Sequence, residues 1–556
     1  MRFRVSVMAV ACAATSILVV PAAMAAPTVV TNVQGYTLAN NKLVSFSGLA
    51  FDKGKVLATG NNTALVKRYR AATLVDGEGK TMLPGLFDVH GHVFRLGFRR
   101  NEVLMGGTQN LDEALSKIRD YAKANPNRQW LLGSGWNQVI WKLGRFPTAV
   151  ELDSAVADRP MTLRRVDGHA TWANSKALQA AGITRDTPDP AGGRIERDAA
   201  GNPSGVLVDK AQLLVTNIIP APSDDERRLA LSTALAHFGS LGLTSVGDAG
   251  IGVDEARIYR EFADQKKLTT RVYAMISDVG DDFRALNTKG PLKGYAQDRY
   301  NLRAVKLRGD GALGSRGAAM LEPYSDDHGN KGLLLSDDAT MNSKVRIALK
   351  AGYQVNTHAI GDAANHQILN AYEAAYKDVG GRGLRNRIEH AQVVTPADIP
   401  RFKTLDLIAS MQPTHATSDM NMAEDRIGKE RLKGAYAWHT FLQQGTVVAG
   451  GSDFPVESAN PFYGLHAAVT RTDHEGKPAQ GWHPEEAMTL LQAFRAFTLD
   501  AAYAQHQEKV LGSLQRGKWA DFILVDQDPF KAPAADLWKT QVLQTWVGGE
   551  RVFRKE

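Results

Sequence analysis

Cysteine is almost missing from this sequence of 556 residues. The single cysteine, Cys12, lies in an apolar segment near the start, and the rest of the chain has no thiol. Internal disulfides, thiolate metal sites and a cysteine nucleophile are therefore excluded beyond that segment.

Long apolar runs are also missing beyond the first residues. The run from Val5 to Val20 follows Arg2 and Arg4 and precedes a stretch of small residues, an order typical of a cleaved signal peptide. The run is short for a membrane span, and no later stretch approaches ~18 uninterrupted apolar residues. We therefore expect removal of residues 1–25, export to the periplasm or the exterior, and no stable membrane insertion afterwards. Lipidation of Cys12 is the less favoured alternative, because little of the apolar run precedes it.

Runs of like charge are missing as well. The 66 lysines and arginines are interleaved with 59 acidic residues, for a net charge of +7. No basic stripe carries aromatic neighbours, which argues against nucleic-acid binding. The Gly-x-Ser-x-Gly and Walker-type motifs are absent too, so nothing supports a serine hydrolase or a nucleotide-dependent enzyme. We expect a globular protein that acts on a small molecule, and formation of a homo-oligomer stays open.

Short alternating apolar segments occupy both ends of the chain. Lys42–Phe46 and Lys55–Ala58 are examples near the start, and Asp521–Val525 and Val542–Val547 near the end. Turn residues separate these segments, which predicts small antiparallel strands. We expect residues 26–82 and 501–556 to build one β-sandwich domain together.

The middle of the chain alternates short β-branched runs with helical stretches, the pattern of repeated βα units. Eight units predict a (β/α)8 TIM barrel over residues 83–500, with its active site at the carboxyl ends of the strands. The strands are predicted at Leu83–Val89, Thr244–Gly247, Arg271–Ile276, Leu302–Leu307, Gln354–Thr357, Arg387–Glu389, Asp406–Met411 and Thr446–Ala449. The interval of about 94–241 is too long for one helix and predicts an inserted subdomain over the barrel mouth.

Two histidines follow the first predicted barrel strand. His90 and His92 flank Gly91, and residues i and i+2 of an extended strand point to the same side. Both imidazoles can therefore face one metal ion. A structural or surface pair is the alternative for this motif taken alone.

Further metal-binding residue types recur at the spacing of barrel units. His358 and His390 each end a predicted strand, 32 residues apart, and Asp453 follows 63 residues later. These intervals correspond to about one and two βα units, which places all the groups on one rim of the barrel. This common location favours a metal centre over scattered polar residues.

With these motifs the sequence resembles the amidohydrolase superfamily, and within it amidohydrolase family 3, the group that includes N-substituted formamide deformylase. The resemblance covers nearly all of the mature chain. It is carried by Pro84–His92, Asp167–Ser175, Val305–Arg316, Gly451–Glu457, Gly517–Phe522 and the motifs around His358 and His390. It implies a distorted (β/α)8 barrel with a β-sandwich formed by both termini.

The resemblance also implies a two-metal site. It assigns His90 and His92 to one divalent ion and His358 and His390 to a second, with a carboxylated Lys306 bridging them. A carbamate is an anionic oxygen donor, whereas a free ammonium beside two dications would be strongly disfavoured. The alternative is a one-ion site in which Lys306 forms a salt bridge near Asp310. We expect zinc, although imidazole and oxygen ligands accept cobalt, manganese or iron too.

Asp453 is the candidate catalytic residue. The resemblance assigns it to the first ion, where it would also accept the proton of the attacking water. Helix capping is the alternative for an aspartate at a barrel rim.

Four residues are candidate substrate contacts: His169, Trp136, Asp310 and Arg316. His169 is favoured because its motif resembles that of the family and its neighbours are polar. For Asp310 and Arg316, an ion pair with each other is an equally good account. For Trp136, as for Trp141 and Trp172, packing in a core is the more common role.

The predicted function is hydrolysis of a carbon–nitrogen bond other than a peptide bond by metal-activated hydroxide. An N-substituted amide or formamide is the simplest substrate. Two alternatives stay open: a lactone or phosphoester hydrolase on the same site, and a non-catalytic exported binding or regulatory protein that retains the fold.

Overall fold

Strands from both ends of the chain pair in one sheet, as the sequence predicts. The computed structural model describes residues 26–556, so the predicted signal peptide lies outside the described residues. A six-stranded sheet has the spatial order Glu550–Arg554, Val542–Val547, Phe522–Val525, Thr81–Pro84, Gln34–Ala39 and Lys42–Phe46. A four-stranded sheet has the order Lys55–Gly60, Gly48–Asp52, Thr28–Thr31 and Thr73–Asp76.

An apolar core joins these two sheets. Val30, Leu49 and Phe51 pack in one buried cluster with Phe522 and Trp546 from the other end of the chain. The rings of Phe522 and Trp546 stack with their centroids 5.2 Å apart. The expectation of antiparallel strands holds for most pairs but not for all. Thr28–Thr31 pairs in parallel with Thr73–Asp76, because the helix Asn62–Arg68 carries the chain from Lys55–Gly60 at one edge of this sheet to the opposite edge.

Eight parallel strands form the central barrel, and all eight were predicted from the sequence. In the structure they span Leu86–Gly91, Leu243–Ile251, Arg271–Ser277, Tyr300–Arg308, Gln354–Ala359, Arg387–His390, Ile408–Met411 and Val448–Gly450. Each is hydrogen-bonded to the next in chain order, and a parallel bridge between Gly91 and Phe454 connects the first strand to the segment after the last. Burial on both faces explains the short continuous apolar runs in these strands.

The first predicted strand is divided in two. Thr81–Pro84 belongs to the terminal sheet, and Leu86–Gly91 belongs to the barrel. Between them Gly85 lies against Thr244 so closely that a Cβ atom would overlap its side chain. The chain therefore passes from one sheet to the other at a residue that must be glycine.

The long interval after the first barrel strand contains a separate sheet, as expected for an insertion. Its strands have the order Gly193–Arg197, Pro203–Asp209, Ala170–Ala173, Met161–Arg165, Leu131–Trp136 and Val103–Leu104. A buried cluster that includes Trp136, Trp141 and Trp172 fills its interior. Helices Leu111–Ala124, Ala149–Asp153, Ser175–Ala180 and Leu213–Thr216 complete this region.

Helices lie between the successive barrel strands and after the last of them. They span Val93–Arg100, Asp224–Ser240, Val253–Asp264, Asp281–Leu286, Tyr295–Asp298, Asp338–Lys350, Asp362–Val379, Ile399–Thr404, Pro413–Asp419, Ala423–Leu432, Trp438–Gln443, Pro461–Thr470, Leu490–Ala496 and Leu499–Ala504. Within residues 26–556, every helix is too short or too polar to cross a membrane.

Candidate metal centre

Side chains from two barrel strands and from the segment after the last strand meet at the carboxyl end of the barrel. The possible ligand atoms of His90, His390 and Asp453 lie within 4.8 Å of one another, and all three residues are buried. His92 joins them, because its Nε2 atom lies 3.2 Å from Asp453 Oδ1. Four of the six residues predicted as ligands therefore form one cluster.

The two remaining predicted ligands lie against this cluster. The ring of His358 is 4.5 Å from that of His390, measured between centroids. Lys306 Nζ lies 3.0 Å from His90 Nε2. Parallel register explains both positions, because Arg308, two residues beyond Lys306, pairs with His358 on the neighbouring strand.

A buried carboxylate fixes the orientation of His90. Glu389 Oε2 lies 2.5 Å from His90 Nδ1 and also accepts a hydrogen bond from Ser410 Oγ, while Arg387 Nε donates to Oε1 at 2.7 Å. Burial alone would raise the pKa of Glu389, but the charge of Arg387 and the contact with His90 hold it at about 2. With Nδ1 occupied in this way, His90 presents Nε2 to the cluster.

An amide oxygen orients His390 in the same manner. Gln412 Oε1 lies 2.8 Å from His390 Nδ1, and Gln412 Nε2 donates to the carbonyl of Ser410. His390 Nδ1 is therefore the protonated nitrogen, and Nε2 keeps a free lone pair. The backbone contributes as well, because His390 has a φ of 77° and Asp453 a φ of 59°, in the left-handed region that non-glycine residues rarely adopt. Such strain is common where a fold aims a side chain into a site.

Burial and neighbouring charges shift the pKa of several groups at this site. Burial and the charge of Lys306 lower the pKa of His90 to about 4. Burial lowers the pKa of Lys306 to about 8. For Asp453, burial alone would raise the pKa, but His92, His90 and His390 hold it well below its usual range. Asp453 is therefore a carboxylate at neutral pH.

Among the six predicted ligands, two buried atoms have no hydrogen-bond partner within residues 26–556: His358 Nε2 and Asp453 Oδ1. His358 Nε2 approaches Asp310 Oδ1 to 3.2 Å, but without hydrogen-bond geometry. An unsatisfied buried polar group costs about 1–3 kcal/mol. Their position among imidazoles and a carboxylate fits a divalent cation, which binds such atoms directly.

Asp310 and Arg316 are not paired with each other. Asp310 is buried and accepts hydrogen bonds from the backbone N–H groups of Ala319, Ile360 and Gly361 at 2.8–3.0 Å. Arg316 pairs instead with Asp326. Asp310 therefore ties a loop to the end of a barrel strand. Among the described residues Lys306 forms no ion pair with Asp310, so the salt bridge proposed for a one-ion site is wrong.

The two candidates in the insertion have different surroundings. Trp136 has no exposed surface, donates from Nε1 to the carbonyl of Leu163 at 2.6 Å and packs against Trp172. Trp136 therefore packs in a core and is not placed as a substrate contact. The side chain of His169 is 75% exposed and pairs with Asp209, so a substrate contact by His169 stays a prediction.

Sequence reasoning missed a fifth histidine at the same rim. His415 follows the seventh barrel strand, and its ring stacks on that of His390 with centroids 5.9 Å apart. Its Nε2 atom lies 3.9 Å from Asp453 Oδ2. A signal was present, because Gln412-Pro413-Thr414-His415 directly follows the predicted strand Asp406–Met411, on the rim where the other side chains were expected.

This chain is similar to known proteins of one family over most of its length. The amidohydrolase family matches residues 73–553. The chain is 32% identical to the putative amidohydrolase YtcJ of Bacillus subtilis, over 91% of this chain and 95% of that protein. It is 29% identical to N-substituted formamide deformylase of Arthrobacter pascens, over 89% of this chain and 94% of that protein. A metal-dependent hydrolase from Pyrococcus furiosus has a similar structure, with a TM-score of 0.77 and 28% identity over 91% of this chain and all of that one.

Proposed function

This chain belongs to the amidohydrolase family, and from that premise we propose that it hydrolyses an N-substituted formamide or a related small amide. Membership makes it a metal-dependent hydrolase of carbon–nitrogen bonds other than peptide bonds. The observation that carries the proposal is the buried cluster of His90, His390 and Asp453 at the barrel rim. The similarity to a formamide deformylase over nearly the full length of both chains supports the substrate class.

The cation would be held by His90, His92, His390 and Asp453, with His358 and Lys306 beside them. When bound, a divalent ion supplies Lewis acidity toward a carbonyl group and makes water nucleophilic near neutral pH. We propose zinc, because imidazole and carboxylate ligands suit it well.

Lys306 is proposed to be carboxylated, which would give the site two ions. An ammonium 3.0 Å from His90 Nε2 competes with a cation for the same lone pair. The pKa of about 8 leaves part of the lysine as the neutral amine that reacts with carbon dioxide. The resulting carbamate would replace a competing donor with an anionic ligand.

Asp453 is proposed to move the proton during hydrolysis. Its Oδ1 atom is the nearer to His90 and His92, and its Oδ2 atom is the nearer to His415. As water adds to the carbonyl carbon, Oδ2 accepts its proton and then gives it to the amide nitrogen. The carbon–nitrogen bond breaks, which releases a carboxylic acid and an amine.

An activity screen with metal analysis tests the proposal. Purified protein of residues 26–556 would be assayed for metal content and against N-alkyl formamides, the matching acetamides, a lactone and a phosphotriester. We expect formate release to be the fastest reaction. Faster turnover of the lactone or phosphotriester would favour the second hydrolase class, and a metal-loaded protein inactive on all amides would favour a binding role.

We also propose that the enzyme works outside the cytoplasm. The leader with Arg2, Arg4 and the apolar run Val5–Val20 supports this location. Amino-terminal sequencing of the protein from a periplasmic or culture fraction should begin at Ala26. Recovery of the full chain in the cytoplasmic fraction would contradict export.

A further inference from the structure

His415 is held in the candidate site by a partly buried chain of hydrogen bonds. Its side chain is 10% exposed. Its Nδ1 atom lies 3.0 Å from Gln392 Nε2, and the same amide nitrogen lies 3.5 Å from Asp419 Oδ2. Tyr436 also donates to Asp419 Oδ2, at 2.6 Å. Gln392 thus fixes the position of the ring and is itself held by Asp419 and Tyr436.

This chain of hydrogen bonds also fixes the tautomer of His415. A carboxylate only accepts hydrogen bonds, so the side of the Gln392 amide that faces Asp419 must be its NH2 group. That group donates to His415 Nδ1 as well. A ring nitrogen that accepts a hydrogen bond carries no proton, so the proton of His415 is on Nε2.

His415 Nε2 is the ring nitrogen that faces Asp453. The atom is buried and has no hydrogen-bond partner among residues 26–556. Its distance of 3.9 Å from Asp453 Oδ2 exceeds that of a hydrogen bond. The Nε2–H group is thus a donor with a fixed position. It lies close to Asp453, the carboxylate proposed to move the proton, and it is free to donate to a group other than Asp453.

We propose that His415 is a further catalytic residue, whose Nε2–H donates a hydrogen bond to the substrate carbonyl oxygen as that oxygen becomes anionic. The inference rests on the proposed amide hydrolysis. No proton leaves His415, because the hydrogen bond alone stabilises the developing charge. A donor held in place by Gln392 needs no reorganisation during the reaction, which makes it effective in a buried site. A protonated Nε2 also means that His415 is not a metal ligand through this atom.

Two substitutions at this position separate the donor from the ring. In His415→Phe the ring remains and the donor is lost, whereas in His415→Gln an amide nitrogen can reach the place of Nε2. We expect His415→Phe to lower kcat on a formamide by about 10²–10³-fold, with normal metal content and little change in KM. His415→Gln should recover at least part of that loss. The control is His439→Phe, on the helix Trp438–Gln443 that precedes the last barrel strand, which should keep wild-type kcat.

The kinetic outcomes distinguish this inference from the proposed function. An active wild type with an equally active His415→Phe overturns the contact with the oxygen and leaves amide hydrolysis intact. Loss of metal from His415→Phe also overturns the contact, since it would make His415 a ligand. A wild type that hydrolyses no amide overturns both the function and the contact.

The tautomer can be measured without any substrate. Long-range 15N–1H spectra of zinc-loaded protein with 15N-labelled histidine would be compared between wild type and His415→Gln to identify the His415 signals. We expect a protonated Nε2 and an unprotonated Nδ1, and loss of this preference in Gln392→Met. A proton on Nδ1, or on both nitrogens, would overturn the inference.

Discussion

Glu389 Oε2 lies 2.5 Å from His90 Nδ1, and both side chains are fully buried. The two residues are 299 positions apart in sequence, and Arg387 neutralises the carboxylate from its other side. The contact links an ion pair in the barrel interior to the orientation of an imidazole in the candidate metal centre. A change at Glu389 should therefore affect both folding and metal binding.

Glu389→Gln is expected to weaken metal binding by about 10–100-fold, because the partner that orients His90 loses its charge. It also leaves Arg387 buried without a counter-ion, which should lower the free energy of unfolding by about 3–5 kcal/mol. Competition with a chelator measures the first effect and urea unfolding the second. Glu373→Gln is the matched control, since Glu373 forms its ion pairs near the surface. Unchanged metal affinity in Glu389→Gln would contradict the orienting role.

Asp453→Asn should retain metal but lose turnover by about 10²–10⁴-fold, because an amide cannot accept the proton of water. Its size and its ability to act as an oxygen ligand are nearly preserved. Metal analysis and steady-state kinetics on the same preparation check the two parts. Retention of most activity would refute the proton-transfer role.

Lys306 should respond to carbon dioxide if it is carboxylated. Protein loaded with metal in 13C-bicarbonate is expected to show a carbamate carbonyl signal in its NMR spectrum, and Lys306→Ala should lack it. The variant should bind fewer ions than the wild type and regain some activity when a small carboxylic acid is added, since its carboxylate can serve as the missing ligand. Equal metal content in both proteins would contradict a bridging carbamate.

The barrel and most of the metal cluster could be predicted, because parallel strands end at one rim and His90, His358 and His390 each lie at a strand end. The contacts that orient the candidate ligands and the packing of the insertion could not be predicted. The pairing of Glu389 with His90 depends on chain segments brought together only by the closed barrel. Trp136 belongs to a core whose strands pair across the whole insertion, so its local sequence could not decide between core packing and a substrate contact.

Three buried histidines should each lower the stability of the metal-free protein as the pH falls from about 6.5 to 4. Burial lowers the pKa of His90, His237 and His466 to about 4 each. Between these values and the ordinary histidine pKa, the unfolded chain binds more protons than the folded one, so acid favours unfolding. Each histidine contributes a slope of at most about 1.4 kcal/mol per pH unit. Asp88 and Asp248 act in the opposite direction over this range, because burial raises their pKa to about 7 and about 6. Urea unfolding of chelator-treated wild type and His237→Gln separates one histidine from these carboxyls, and the same pH dependence in both proteins would contradict the prediction.

Asp310→Asn should loosen a loop rather than change substrate affinity directly. The carboxylate accepts from the N–H groups of Ala319, Ile360 and Gly361, and an amide offers only one oxygen to them. The free energy of unfolding should fall by about 1–3 kcal/mol, as expected when buried donors lose their acceptor. Hydrogen exchange should accelerate at these three amides. Arg316→Ala, which removes a partner of Asp326 nearer the surface, should leave that exchange unchanged. A stable Asp310→Asn protein with raised KM alone would instead favour the substrate contact predicted from the sequence, because only a group that touches substrate would alter binding without altering the loop.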